Sequence, residues 1–65
     1  MNWTKGDKCF VEEYGHGVIK AVFQQGRQMA ATVNFTEGYY TGQEFDFLFV
    51  DLCKDFVPVK IIQGD

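Results

Sequence analysis

Proline occurs once, at Pro58, cysteine twice, at Cys9 and Cys53, and histidine once, at His16. Each scarcity excludes something. Two cysteines make no framework of crosslinks like those that staple small secreted domains, and in a chain of cytosolic character they are expected to stay reduced. Cys9, Cys53 and His16 form no CxxC or HxxxH pair, so no metal site is expected. Long apolar runs are also missing. The longest is Phe47-Leu48-Phe49-Val50, far short of the ~20 residues a membrane span needs. No apolar stretch backs the charge near the N-terminus, so no secretory leader is expected and the cytoplasm is the expected compartment.

Clustered positive charge is missing too. The six basic residues, Lys5, Lys8, Lys20, Arg27, Lys54 and Lys60, are scattered singly, and the net charge is −3. Phosphate neutralisation supplies most non-specific nucleic-acid affinity, so this balance disfavours DNA or RNA as partner unless folding gathers a local patch.

What the chain does have is rings. Seven Phe, three Tyr and one Trp among 65 residues supply large apolar area per ordered position, which suits the core of one small domain spanning 1–65. Glycines punctuate the sequence, and β-branched and aromatic runs lie between them. Strands are expected over 8–12, 18–23, 29–35, 43–47 and 56–62, with a turn at 24–27. The fourth alternates polar and apolar residues strictly, so one of its faces is wet and the other buried. Residues 48–53 suit one turn of 3-10 helix. Pro58 donates no ladder hydrogen bond, which assigns the last strand to an edge or a bulge. Five short strands of this size are expected to form one strongly bent sheet that curls into a small all-β barrel.

Two turns are chemically legible. In Gly6-Asp7 the carboxylate is expected to bond backbone two residues on. Gly15 and Gly17 are expected to take positive φ and reverse the chain around His16, an exposed turn residue. Cys9 and Cys53 read as small core hydrophobes. No nucleophile stands beside a base and an orienting group, so an enzyme is not expected, and no cofactor is implied.

The order of these motifs carries a resemblance. Trp3-x-x-Gly6-Asp7-Lys8-Cys9 resembles the opening of Tudor domains. The run Gly6-Asp7-Lys8-x-Phe10-Val11-x-x-Tyr14-Gly15-His16-Gly17-Val18-Ile19-x-Ala21-Val22, with Thr32-Val33-Asn34-Phe35 after it, is similar to the Tudor-like domains of bacterial transcription-associated proteins. These include the C-terminal domain of repair helicases and the polymerase-interacting domain of the CarD family. The resemblance covers residues 3 to 60 and implies a five-stranded SH3-like (Tudor-like) barrel with a short 3-10 turn before the last strand. It also implies a non-enzymatic protein-binding module, with RNA polymerase or a nucleic-acid-processing enzyme as partner.

Partner contacts are expected at Tyr14, Phe35, Tyr39, Tyr40, Glu44 and Asp46. Adjacent tyrosines in a strand point to opposite faces, so one of Tyr39 and Tyr40 should be exposed, as interface anchors are. Glu44 and Asp46 would make an acidic stripe suited to a basic protein surface, or simply a solvated face that blocks edge aggregation. Other readings stay open. One is a phage- or plasmid-encoded regulator that inhibits a host protein with an acidic, nucleic-acid-like face. A second is a nucleic-acid-binding barrel using Lys20, Arg27 and exposed rings. A third is a methyl-Lys or methyl-Arg reader, for which Phe35, Tyr39 or Tyr40, and Tyr14 supply cage rings, with Ile19 at the second-strand position and Thr41 or Gly42 where an Asn is usual. A fourth is self-association through strand edges.

Overall fold

The computed structural model describes residues 2–54; the expected strand over 56–62, with Pro58, lies outside them. Five antiparallel strands, β1 (Lys8–Val11), β2 (Gly15–Gln25), β3 (Gln28–Phe35), β4 (Glu44–Leu48) and β5 (Cys53–Lys54), form one sheet in the order β4-β3-β2-β1-β5. A 3-10 turn, Phe49–Asp51, precedes β5. The protein is all-β, and among the described residues the sheet is open, with β4 and β5 at its two ends. No helix of these residues is long and apolar enough to cross a membrane.

The glycine-rich stretch folds differently from its expected form. The reversal between β1 and β2 falls at residues 12–14. Tyr14 N–H donates to the Val11 carbonyl at 2.9 Å, and Glu13 (φ 72°) and Gly15 (φ 114°) take the positive φ values. His16 and Gly17 are already in β2, where they pair with Phe10 and Cys9. His16 is therefore a strand residue, its ring 4.9 Å from that of Phe10. Gly17 serves close packing instead of chain reversal. A Cβ there would lie 2.6 Å from Val33 Cγ1 and 2.8 Å from the Asn34 carbonyl oxygen. Sequence punctuation does not separate these two uses of glycine, because both depend only on the missing side chain.

Beyond Gly17, β2 runs the length of the sheet. Its register with β3 steps from Ile19↔Val33 to Ala21↔Thr32, so Lys20 is the extra residue of a bulge. A bulge bends its strand and raises the local twist. β2 pairs with β1 over residues 15–18 and with β3 over residues 17–25, so Gly17 and Val18 pair with both. At the far end Gln25 pairs with Gln28, and Gly26 (φ 65°) is the first central residue of the two-residue loop, as a type II′ hairpin requires.

One face of the sheet carries the core. Trp3, Cys9, Val11, Ile19, Ala31, Val33, Phe35 and Leu52 are buried, with Tyr14, Val22, Tyr40, Phe47 and Phe49 packed around them. Cys9 belongs to this core, but Cys53 is exposed. Cys53 pairs with Phe10, one step out of phase with Cys9, and strand alternation turns it to the opposite face. Asp7 also departs from expectation. Its Oδ2 accepts from the Thr4 N–H at 2.9 Å and the Thr4 hydroxyl at 3.2 Å, so it closes the turn backwards by three residues.

The packing at Gly17 makes a prediction. Gly17→Ala should lower stability by about 1–3 kcal/mol, the usual cost of forcing extra volume into a packed site. Urea unfolding should show this as a lower midpoint at unchanged slope. A variant as stable as the parent would mean that β3 has room to move.

Candidate functional site

Two connections meet at one end of the sheet: the β1–β2 turn at residues 12–14 and the β3–β4 loop at residues 36–43. The loop is closed by its own backbone. Gly42 N–H donates to the Phe35 carbonyl at 2.8 Å, Phe35 N–H to Gln43 at 3.0 Å and Gln43 N–H to Tyr40 at 2.9 Å, while the Thr41 hydroxyl caps the Gly38 carbonyl at 2.6 Å. Thr36 N–H ties the loop to β2 through the His16 carbonyl at 3.0 Å. The turn approaches closely enough that a Cβ on Gly15 would stand 3.6 Å from the Glu37 carbonyl oxygen.

Tyr14 is carried by the turn into a cluster of rings. Its centroid lies 4.8 Å from Tyr40, 5.0 Å from Phe47, 5.5 Å from Phe35 and 5.8 Å from Phe45. Tyr40 and Phe45 meet edge to face at 5.7 Å. These are the spacings of aromatic pairs in contact. A cage that holds a cation between facing rings must have them splayed apart. The rings here are closed on one another, and the second-strand position is the buried Ile19. The geometry therefore lends no support to a methyl-reading cage.

The sequence-expected contacts divide. Tyr14, Phe35 and Tyr40 come together, but Phe35 is only 1% exposed and belongs to the core, so it supports the cluster from beneath and offers no surface to a partner. Tyr39 and Tyr40 lie in a turn of the loop, not in a strand, yet they do point different ways. Tyr40 packs on the core and Tyr39 is 87% exposed, its ring edge to face with Tyr40 at 5.0 Å. Glu44 and Asp46 lie on the other face of β4, away from the rings, because Phe45 and Phe47 alternate with them. Their carboxylates are tied across the sheet. Glu44 Oε2 accepts from Asn34 Nδ2 at 3.1 Å and lies 3.7 Å from Lys20 Nζ, and Asp46 Oδ1 accepts from the Thr32 hydroxyl at 2.6 Å.

Two participants were not anticipated. Phe45, at 37% exposure, joins Tyr39 as an apolar surface of the cluster, and Phe47 packs beneath it. The strict alternation of β4 was the available signal for both. His16 was expected as a bare turn residue, but its Nε2 lies 3.7 Å from Glu37 Oε2. Among the described residues no three His, Cys, Asp or Glu side chains are grouped to hold a metal ion.

Tyr14 and Tyr39 should respond oppositely to truncation. Tyr14→Ala removes the centre of the cluster and should cost about 2–4 kcal/mol in urea unfolding, within the range for large-to-small core changes. Tyr39→Ala should stay within about 0.5 kcal/mol of the parent, as exposed positions do. Equal losses from the two would mean that Tyr39 is part of the fold. No family model, curated protein or solved structure matches the chain, so its function is read from its own residues.

Proposed function

We propose that this protein is a non-enzymatic, Tudor-like or SH3-like small-barrel module that binds a protein partner of the bacterial transcription or repair machinery in the cytoplasm. The observation that carries the reading is Tyr39, almost fully exposed yet seated on a rigid base of contacting rings. A large exposed ring on a fixed support loses little freedom on binding, which is what an interface anchor requires. Phe45 extends the apolar surface beside it, and Glu37 in the same loop adds negative charge suited to a basic partner. The antiparallel order β4-β3-β2-β1-β5, with a 3-10 turn before β5, agrees with a barrel of this kind. Direct nucleic-acid binding is the weaker reading, since Lys20 is drawn to Glu44 across the sheet.

The experiment is binding of the purified protein to bacterial RNA polymerase and to repair helicases by surface-immobilised kinetics. Single- and double-stranded DNA over a salt series serve as the comparison. Binding to one of these proteins is expected, and Tyr39→Ala should weaken it by roughly thirtyfold, the effect of losing a hot-spot residue. Retained affinity in Tyr39→Ala, or salt-sensitive binding to DNA alone, would sink the reading.

A further inference from the structure

Tyr14 also lines a cleft of about 330 Å³ between the β1–β2 turn and the 3-10 turn. Val11, Phe47 and Val50 line it with Tyr14 as apolar residues, and two acidic residues, Glu12 and Asp51, line it as well, one from each turn. Val50 is 76% exposed, an apolar side chain left facing solvent. Both residues are exposed, and among the described residues neither side chain takes part in a hydrogen bond or ion pair. They differ in this from Glu44 and Asp46, whose oxygens are already engaged across the sheet.

We infer that this cleft receives an arginine or lysine side chain from the bound partner, a step that rests on the protein-binding reading above. Three features fit that occupant together. The volume is at the small end of ligand pockets, enough for one long side chain. The walls suit a methylene stem, which long basic side chains bury while their charged head stays near water. The head then meets two carboxylates that no other described residue engages, and the rings of Tyr14 and Phe47 add attraction for a cation. A neutral apolar side chain would fill the walls and leave both charges unanswered.

The probe is the peptide acetyl-Gly-Arg-Gly-amide, titrated into the 15N-labelled protein and followed by amide chemical shifts. Its counterpart carries citrulline, which keeps the shape and removes the charge. Saturable shifts are expected at residues 11–14 and 50–53 with arginine and not with citrulline. The Glu12→Gln/Asp51→Asn protein should bind the arginine peptide about fivefold more weakly, the size of effect for partly exposed pairs. Its dispersed amide spectrum would report that it is folded. Equal binding of the citrulline peptide overturns the inference, as does the absence of saturable shifts through roughly 20 mM peptide. Shifts spread evenly over Glu37, Glu44 and Asp46 would do the same, since they mark unspecific charge attraction. Binding seen only in a Lys60→Ala protein would give the cleft to the chain's own Lys60 and also overturn it. The protein-binding reading is scored separately, by the effect of Tyr39→Ala on polymerase or helicase binding.

Discussion

Tyr14 holds one end of this protein together. Its ring contacts four others, contributed by the end of β3, the β3–β4 loop and β4. Each pair of this kind contributes about 0.5–1.5 kcal/mol beyond its buried area, a large sum for a domain of this size. The local backbone is arranged to put it there. Glu13 occupies the left-handed region at φ 72°, which a non-glycine residue adopts only when its surroundings require it, and Gly15 at φ 114° admits the neighbouring loop. The tyrosine rim and the cleft both share this one ring, so both depend on the same turn.

The sheet separates its duties by face. The bulge at Lys20 places Lys20 toward Glu44 while Val22 returns to the core. Polar cross-strand contacts, Thr32 with Asp46 and Asn34 with Glu44, occupy the solvent face of β3 and β4. Two charged residues on an end strand also discourage edge-to-edge pairing with other copies. The acidic stripe thus has a structural account without a partner, whereas Tyr39 and Val50 are large apolar side chains left mostly exposed. Trp3 makes the complementary point. Its Nε1 is buried and no described residue accepts from it, while its ring belongs to the core cluster.

Much of the fold was legible because alternation is a backbone property. From Ala31 to Phe35 the residues of β3 alternate as period 2 requires, and Phe45 and Phe47 share one face of β4, but that face is not buried: Phe45 is exposed and Phe47 half-buried. The 3-10 turn falls inside the stretch that had too few residues for anything longer. The misreadings share a cause. Glycine marks both reversals and close approaches, so the glycines flanking His16 read as a turn, whereas His16 and Gly17 pair in β2. Phe35 and Cys53 each depended on the phase of a strand, which is fixed only once its neighbours are known. The ring cluster joins residues distant in sequence, so no local pattern could announce that Tyr14 is its centre.

The hairpin between β2 and β3 has a practical meaning. Its tip, around Gly26 and Arg27, is exposed, and a Cβ on Gly26 would meet nothing within 4 Å. Since β2 starts at the tyrosine end and stops at this tip, the two are separated by its eleven residues, on the order of 30 Å of extended chain. A fluorophore, an affinity tag or a surface tether attached there would leave the opposite end unobstructed. The molecule therefore comes with a natural handle, set as far from the proposed binding surface as a single strand allows.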